Sequence, residues 1–248
     1  MKLIADTILL SVVDTHTIQA AQVAQYTSQL SPDEYRRNQR FRFPEDRQRD
    51  LCARALQRSV LANQLGCEPA ALVFARGEHG KPELAGEFAQ SGLHFNLSHA
   101  GQWVALAVAA VPVGVDVEHT ERDNDVMAIA DRHFYGVELD ELLAFAEAEQ
   151  RERFFDYWTL KEAYMKARGE GIALGLQNFA FTTQRNDRIE LHLSEHIDDD
   201  PAQWQFHNST PEPGYRLALA YRSASPLRVC CEAGLGGRPL PAGWQFET

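Results

Sequence analysis

The stretch WVALAVAAVPVGVDVE, residues 103–118, is the strongest indicator of the fold of this chain. Residues 103–110 and 113–118 are rich in valine and alanine, which predicts two adjacent buried strands joined by a tight connection. In the second strand Asp116 and Glu118 are two residues apart, so both carboxylates leave one face while the alternating valines point into the core. On spacing alone, the polar face of a strand end explains this pair better than a metal site does.

The overall composition indicates an ordinary globular chain. Its 248 residues are 44% hydrophobic and 24% charged, which is enough to bury one good core or two small ones. The net charge of −11 disfavours nucleic acid and acidic membranes, so a site for an anionic ligand has to be local. We therefore expect no nucleic-acid partner and no membrane partner.

Targeting and redox signals favour a cytoplasmic protein. Residues 1–13 lack the uninterrupted apolar core of a signal peptide and are expected to form a first strand. The longest nearly apolar run, residues 104–115, is far shorter than the roughly 20 residues that a helix needs to cross a bilayer. The four cysteines form no CxxC pair, and the adjacent Cys230 and Cys231 could not easily bridge to each other, so neither a zinc site nor a disulfide framework is predicted.

Residues 31–58 form a basic island in this acidic chain, with eight arginines against five acids. The sequence Ser31-Pro32-Asp33-Glu34 is typical of a helix start, with a capping serine, proline at the first helical position and acids in the first turn. Apolar residues then repeat at helical spacing over residues 51–60, and Gly66 is the predicted stop. The arginines are therefore expected on and between two helices.

Residues 151–168 predict a second long helix, closed by Gly169 after basic residues in its last turn. Trp158, Glu162 and Lys166 are spaced four apart and form one stripe, with Lys161 at its edge. Taken alone, this stripe is explained as well by an amphipathic helix whose Glu-to-Lys pair contributes only ~0.3 kcal/mol. The apolar residues around this stripe favour a functional role for Glu162, because a partly buried acid needs a cation.

Loops that follow strands supply candidate anion-binding groups. Lys81 lies in a glycine-rich turn before Pro82, and an extended segment from His94 ends at Ser98 and His99. Two or three carboxylates that bind Mg²⁺ leave its other positions to water and substrate phosphates, so the set indicates a diphosphate substrate. Taken singly, Lys81 is explained as well by an exposed turn lysine, and His99 by a hydrogen-bonded loop histidine, as by phosphate binding.

The chain changes character after Gly171. Turn residues separate alternating segments that predict strands at 179–183, 188–193, 204–207 and 215–221. Residues 234–248 are rich in glycine and proline, and we expect them to form a surface tail.

Four motifs follow one another along the chain: Gly80-Lys81-Pro82, FNLSH at 95–99, VGVDVE at 113–118, and WTLKEAYMK at 158–166 followed by Gly169 and Gly171. Together they resemble the 4′-phosphopantetheinyl transferases of the surfactin-synthetase-activating (Sfp) type. The resemblance is close over residues 80–171 and looser over residues 31–54. A chance match of four ordered motifs is improbable.

The resemblance implies an α+β fold of two similar halves related by a pseudo-twofold axis, with coenzyme A in the cleft between them. The halves would be residues 1–111 and 112–248, the second carrying the magnesium-binding acids and the tail from about residue 234. A chain that holds both halves would act as a monomer.

The resemblance also implies roles for individual residues. Asp116, Glu118 and Glu162 would bind Mg²⁺, with Val117 leaving one position to water. Lys81 with its neighbour Pro82, and Ser98, His99, Lys161 and Lys166, would contact the phosphates and nucleotide of coenzyme A. The 3′-phosphate would be held by Arg37, with Arg40, Arg49 and Arg54 as further candidates.

The implied reaction is attack by a carrier-protein serine on the β-phosphate of coenzyme A, which releases adenosine 3′,5′-bisphosphate. Glu162, Asp116, Lys166 and His99 are the expected catalytic residues, with Glu162 or a metal-bound water as the general base. The partners would be acyl or peptidyl carrier proteins, docking on an apolar patch around Phe134-Tyr135 and Phe154-Phe155.

Two departures from the family pattern and two rival functions stay open at this stage. Glu34 and Asp50 stand where relatives commonly have basic or hydroxyl groups, and Ala100 replaces a serine often seen after the histidine. A Mg²⁺-dependent hydrolase of a nucleoside diphosphate would need the same carboxylates but no carrier protein. A scaffold would need neither metal nor coenzyme A.

Overall fold

The computed structural model describes residues 6–183, 188–236 and 239–244. Its helices are α1 (Ala20–Gln29), α2 (Pro32–Asn38), α3 (Pro44–Leu65), α4 (Val126–His133), α5 (Gly136–Leu143) and α6 (Glu147–Arg168). Its strands are β1 (Thr7–Asp14), β2 (Phe74–Arg76), β3 (Pro82–Leu84), β4 (His94–Ala100), β5 (Trp103–Ala109), β6 (Val113–His119), β7 (Phe179–Thr182), β8 (Glu190–Leu193), β9 (Trp204–Ser209), β10 (Tyr215–Arg222) and β11 (Arg228–Ala233).

Two larger sheets organise the molecule. The first has the strand order β11-β1-β5-β4, in which β1 pairs antiparallel with β5 and parallel with β11. The second is antiparallel and has the order β6-β10-β9. The hairpins β2–β3 and β7–β8 form separate small sheets. As a result, β4 and β6 are edge strands of the first and second sheets.

The two larger sheets pack face to face. Alternate residues of β1, such as Ile8 and Leu10, belong to the same buried cluster as Val115 and Val117 of β6 and Leu219 of β10. This is the period of two that a strand imposes, with every second side chain on the inner face. The predicted connection after β5 is confirmed, but β5 and β6 belong to different sheets rather than pairing with each other.

A 22-residue helix covers the outer face of each larger sheet. Helix α3 packs Leu56 and its neighbours against Leu106 and Val108 of β5. Helix α6 packs on β6 and β10, where a Cβ added at Gly114 would collide with backbone atoms of Ala163 and Ala167. Glycine at 114 therefore lets the helix approach the strand that carries the two acids, and the predicted α+β class is confirmed.

The start of α2 and the ends of α3 and α6 follow the signals in the sequence, whereas α6 begins at Glu147 rather than at residue 151. Ser31 accepts a hydrogen bond from the Glu34 amide at 3.2 Å while its own amide donates to Glu34 Oε2 at 2.8 Å, so a capping box begins α2 at the predicted capping serine. Gly66 and Gly169 end α3 and α6 in left-handed conformations, with φ of 71° and 78°. No helix in the described ranges is long and apolar enough to cross a membrane.

The C-terminal region differs from the expected surface tail. Strand β11, which the sequence analysis did not identify, pairs with β1, although it lies in the second predicted half. Trp244 is fully buried in the cluster between the sheets, with its ring 4.6 Å from that of Trp103. The prediction of a surface tail is therefore wrong at Trp244, because a glycine- and proline-rich composition says nothing about where one large apolar side chain packs. Residues 1–5 of the predicted first strand and residues 237–238 and 245–248 of the predicted tail lie outside the described ranges.

Candidate active site

The edges of the two larger sheets meet at a seam between β4 and β6. Val115 N–H donates to Asn96 Oδ1 at 2.9 Å, and Val117 N–H donates to Ser98 Oγ at 3.3 Å. These amides point away from β10 and would otherwise be unpaired in a buried strand, which is costly. Side chains of β4 thus replace a backbone ladder, and they fix β6 against β4.

Ser98, Asp116 and Lys166 meet at this seam. Ser98 Oγ donates to Asp116 Oδ1 at 2.8 Å, and Lys166 Nζ donates to the same oxygen at 2.6 Å and to Ser98 Oγ at 3.2 Å. Asp116 is only 3% exposed. Its second oxygen, Oδ2, is buried and has no hydrogen-bond partner among the described residues. A strand from each sheet and helix α6 therefore converge on one carboxylate.

Glu118 and Glu162 complete a group of acids around Asp116. Burial, followed by the negative charge of Asp116, raises the pKa of Glu118 to about 7 and also raises the pKa of Glu162. Arg122 opposes this at Glu118, with a guanidinium nitrogen 2.5 Å from Oε2. The three acids therefore share one electrostatic environment, in which a cation would be stabilised.

The oxygen donors of this group fit Mg²⁺. In the part of the chain that the structure describes, no three His, Cys, Asp or Glu side chains are arranged so that they could hold a metal ion by themselves. Asp116 pairs with Lys166 and Glu118 with Arg122. Mg²⁺ does not require such a shell, because it commonly binds one or two carboxylates and keeps waters and substrate phosphates as its other ligands. The orphaned Oδ2 of Asp116 is an oxygen donor of the required kind.

His99 lies beside the arginines at one end of the seam. It follows Ser98 on β4 and points to the other face of the strand, where it is exposed. Local desolvation and the positive charge of Arg49, with smaller effects from Lys166 and Arg54, lower the pKa of His99. The imidazole is therefore neutral near pH 7, in a positive field that would attract a phosphate.

The candidate arginines of the basic island, residues 31–58, differ in what they contact. Asp50 is buried, and its Oδ1 lies 3.6 Å from Arg37 and 3.5 Å from Arg54, so it holds both guanidinium groups near each other. Arg49 donates to the carbonyl of Gly101 at 2.9 Å and pairs with an acid of its own helix. Of the remaining arginine candidates, Arg40 is exposed just beyond α2.

Lys81 lies at the other end of the seam, below the C-terminus of α6. Its Nζ donates to the carbonyl of Lys166 at 2.6 Å and, more weakly, to that of Val113 at 3.4 Å. Burial lowers the pKa of Lys81 to about 8. Lys81 and Pro82 line a cleft of about 1010 Å³ that also includes Arg168 and Asp199. Asp116, Glu118 and Glu162 lie outside this cleft, which extends from the end of the seam.

The structure contradicts the prediction that Lys161 contacts phosphate. Its side chain is fully buried, with Nζ 2.6 Å from Oε2 of the equally buried Glu138 and hydrogen-bonded to the carbonyl of Phe179. Lys161 precedes Glu162 by one residue, which turns it by roughly 100° around the helix and into the aromatic core, against Phe134 and Phe179. The motif lysine is a core residue here.

The predicted apolar docking patch is also wrong for three of its four members. Phe134, Phe154 and Phe155 are buried in the cluster beneath α6. Only Tyr135 is well exposed, at 40%. The aromatic run therefore fills the apolar core beneath α6.

Sequence reasoning missed the contributions of Asn96, Arg122 and Gly114. Asn96 was part of a recognised motif but received no role, and Gly114 was read only as part of a strand. The signal for Gly114 was its place beside two acids in a buried strand, where glycine often marks a close backbone approach. The pairing of Arg122 with Glu118 depends on a turn whose course the sequence did not predict.

Comparison with known proteins gives two family matches. The model described as "4′-phosphopantetheinyl transferase, N-terminal" matches residues 17–111, and the 4′-phosphopantetheinyl transferase superfamily model matches residues 112–220.

Two relatives agree with these matches in sequence. The 4′-phosphopantetheinyl transferase HetI of a Nostoc species is 40% identical over 220 residues, which cover 88% of this chain and 85% of that protein. The 4′-phosphopantetheinyl transferase Sfp of Bacillus subtilis is 30% identical over 194 residues, which cover 78% of this chain and 83% of that protein. The solved holo-[acyl-carrier-protein] synthase of Thermotoga maritima aligns with 46% of this chain and 64% of its own at 24% identity and a TM-score of 0.38.

Proposed function

Since this chain belongs to the Sfp-type 4′-phosphopantetheinyl transferases, enzymes that transfer phosphopantetheine from coenzyme A to carrier proteins, we propose that the β4–β6 seam is its active site. The observation that carries the proposal is the convergence of Ser98, Asp116 and Lys166, from both sheets and α6, beside two further acids. A binding scaffold would gain nothing from burying a carboxylate with an unpaired oxygen.

Asp116, Glu118 and Glu162 are the proposed Mg²⁺ ligands. When bound, the ion would neutralise the diphosphate of coenzyme A and orient it. Support comes from the unpaired Oδ2 of Asp116 and from the clustering of the three acids. Lys166 would exchange part of its contact with Asp116 for a phosphate oxygen, because its side chain is 27% exposed and can turn toward the ligand.

The coenzyme A phosphates would be held from both ends of the seam. Ser98 offers a hydroxyl, and His99 lies in the positive field of Arg49 and Arg54. Arg37 and Arg54, gathered by Asp50, are suited to an anion such as the 3′-phosphate, with Arg40 exposed nearby in the chain. Lys81 and Pro82, at the cleft beyond α6, would contact the nucleotide.

The reaction would proceed by in-line attack of the carrier serine oxygen on the β-phosphorus of coenzyme A. The serine O–H bond breaks and Glu162 takes the proton, directly or through a bridging water. The new bond joins serine oxygen to phosphorus, while the phosphoanhydride bond breaks and its electron pair leaves with adenosine 3′,5′-bisphosphate. Lys166 would donate a hydrogen bond to the phosphate oxygens as their charge is redistributed.

The chain would act as a monomer built from a first half, 1–111, and a second half, 112–248. The family matches change over between residues 111 and 112, which supports this boundary. Strand β11 returns from the second range to pair with β1, so each half depends on the other for its folded form.

Replacement of Asp116 or Glu162 by alanine tests the site. Each variant should lose transfer of labelled phosphopantetheine to an apo-carrier protein by at least about 10²-fold while its circular dichroism stays that of the native chain. Glu149→Ala is a matched control, because Glu149 is an exposed acid in the first turn of the same helix. Turnover of either site variant at the unmodified rate would refute the metal-ligand assignment.

Mass spectrometry of the products tests the reaction itself. The proposed transferase adds one phosphopantetheine to the apo-carrier and leaves coenzyme A intact when the carrier is absent. Cleavage of coenzyme A without a carrier would indicate a hydrolase, and absence of Mg²⁺-dependent coenzyme A binding by calorimetry would indicate a scaffold.

A further inference from the structure

Asn96 occupies a place in the seam that the proposed reaction does not yet use. It lies two residues before Ser98 on the same face of β4, opposite the small side chain of Ala107 on β5. It is only 9% exposed, and its Oδ1 accepts the Val115 amide at 2.9 Å. When the carbonyl oxygen of a buried amide side chain accepts a hydrogen bond from a backbone N–H of another sheet, it fixes the position of that backbone.

The bonded amide belongs to the residue that directly precedes Asp116. Val115 is fully buried, and its N–H points away from β10, since β6 is an edge strand. The carbonyl of the same residue faces Lys166 Nζ at 3.4 Å. Val115 is thus held on both its backbone groups by side chains that approach from the seam, one from β4 and one from α6.

This bridging also determines the width of the seam. A backbone ladder between β4 and β6 would bring the two strands to about 4.8 Å and leave no room for side chains between them. Asn96 and Ser98 bridge the edges through side chains instead, so the Ser98 hydroxyl and the Asp116 carboxylate meet between the strands at 2.8 Å.

We propose that Asn96 is a positioning residue for phosphopantetheine transfer, which holds Asp116 in register with Ser98 and Lys166 through the Val115 amide. The proposal rests on the function proposed above. Asn96 touches neither the reacting atoms nor a metal ligand side chain, and its effect passes through one hydrogen bond to the backbone of β6. Groups that orient metal ligands in this way commonly change metal affinity or activity by about 10–100-fold.

Three variants separate positioning from packing. Asn96→Ala removes the acceptor and leaves the Val115 amide unpaired. Asn96→Ser keeps an acceptor that can reach β6, because Ser98 on the same strand face already accepts the Val117 amide at 3.3 Å. Asn178→Ala is the matched control, since it removes an amide bond of equal length, from Asn178 Nδ2 to the carbonyl of Leu174 at 2.9 Å, far along the chain from the seam.

We expect Asn96→Ala to lower kcat by about 30-fold with a change in KM for coenzyme A of less than about threefold, and Asn96→Ser to recover most of the loss. Mn²⁺, used as a probe of the carboxylates and followed by electron paramagnetic resonance without carrier or coenzyme A, should bind about tenfold more weakly to Asn96→Ala. Asn178→Ala should change thermal stability but neither kcat nor Mn²⁺ affinity. All kinetics are measured well below the unfolding midpoint of each variant.

Asn96→Ala with the kcat and Mn²⁺ affinity of the unmodified chain would overturn the proposal. If Asn96→Ala does not fold, Asn96→Gln provides the test. The longer glutamine side chain moves the amide carbonyl by one methylene, out of register with the Val115 N–H, so an unchanged kcat in this variant would also overturn the proposal. The unmodified chain and Asp116→Ala are assayed in parallel as controls. A failure of the unmodified chain to transfer refutes the proposed function, whereas transfer that is insensitive to Asn96 refutes only this inference.

Discussion

Two ion pairs on α6 have the same chemistry and the same N–O distance, 2.6 Å, yet they lie in different environments. The Lys161–Glu138 pair has both side chains at 0% exposure, whereas Lys166 is 27% exposed against 4% for Asp116. Five residues separate the two lysines, which places them roughly 140° apart around the helix. The face of α6 that a lysine occupies therefore decides whether it can meet a substrate.

The surroundings of the two pairs explain the difference. Lys161 Nζ lies 4.5 Å from the centre of the Phe179 ring and 5.5 Å from that of Phe134, and burial lowers its pKa. Glu138 accepts the Phe181 amide at 3.1 Å through its second oxygen, so this pair ties α5, α6 and β7 together. Lys166 instead shares its carboxylate with the Ser98 hydroxyl and keeps access to water.

Removal of one partner from the enclosed pair should have the largest effect. Lys161→Ala leaves Glu138 charged or protonated without its cation in the core, which should lower the free energy of unfolding by about 3–5 kcal/mol. Urea denaturation followed by tryptophan fluorescence measures this loss.

The double variant Glu138→Leu/Lys161→Met is the matched control for Lys161→Ala. It replaces both charges by apolar groups of similar volume, and it should recover most of the stability. Equal stability losses in the single and double variants would show that the pair acts through packing rather than through charge.

The exposed pair should respond in activity rather than mainly in stability. Lys166→Met should lower kcat for transfer by about 10²–10³-fold, since it removes a cation from the phosphates. Its free energy of unfolding should fall less than that of Lys161→Ala, because the Lys166 side chain is 27% exposed, against 0% for Lys161, and Ser98 still donates to the Asp116 carboxylate. Stopped-assay kinetics and denaturation on the same preparation give both values. A stability loss equal to that of Lys161→Ala would remove the distinction between the two pairs.

Lys81 provides a third case, a lysine bonded to backbone carbonyls, and it should give the smallest effect. Its pKa of about 8 means that the amine is charged at pH 7 and loses its charge as the pH rises past 8. Coenzyme A affinity, measured by calorimetry, should therefore fall by up to about tenfold between pH 7 and pH 9. Lys81→Met should bind more weakly at pH 7 and show a flatter profile. An equal pH dependence in this variant would assign the titration to another group.

Local signals in the sequence were sufficient for the start of α2, the ends of α3 and α6, and the acid-bearing strand, but not for the start of α6, which lies at Glu147 rather than at residue 151. Ser31, Gly66 and Gly169 act through their own backbone neighbours, so their roles can be read from a few residues. The alternation around Asp116 likewise predicted one polar face on a buried strand, which the structure confirms.

Features that depend on distant partners could not be read in this way. The direction of Lys161 depends on Glu138 and on the carbonyl of Phe179, which lie 23 and 18 residues away. The role of Asn96 depends on β6 being an edge strand, which follows from sheet order and not from local pattern. Trp244 packs beside Trp103, and no periodicity in a glycine- and proline-rich segment indicates such a contact.

The parallel pairing of β1 with β11 has a consequence for synthesis of the chain. Ser11 and Glu232, bonded across these strands at 2.6 Å, are 221 positions apart. Ribosomes add about 5–20 residues per second, so the outer edge of β1 waits on the order of ten seconds or more for its partner strand to emerge. An unpaired strand edge can recruit other chains. Until translation has passed residue 233, nascent chains should therefore depend on chaperones, or on another segment of the same chain, to cover this edge of β1.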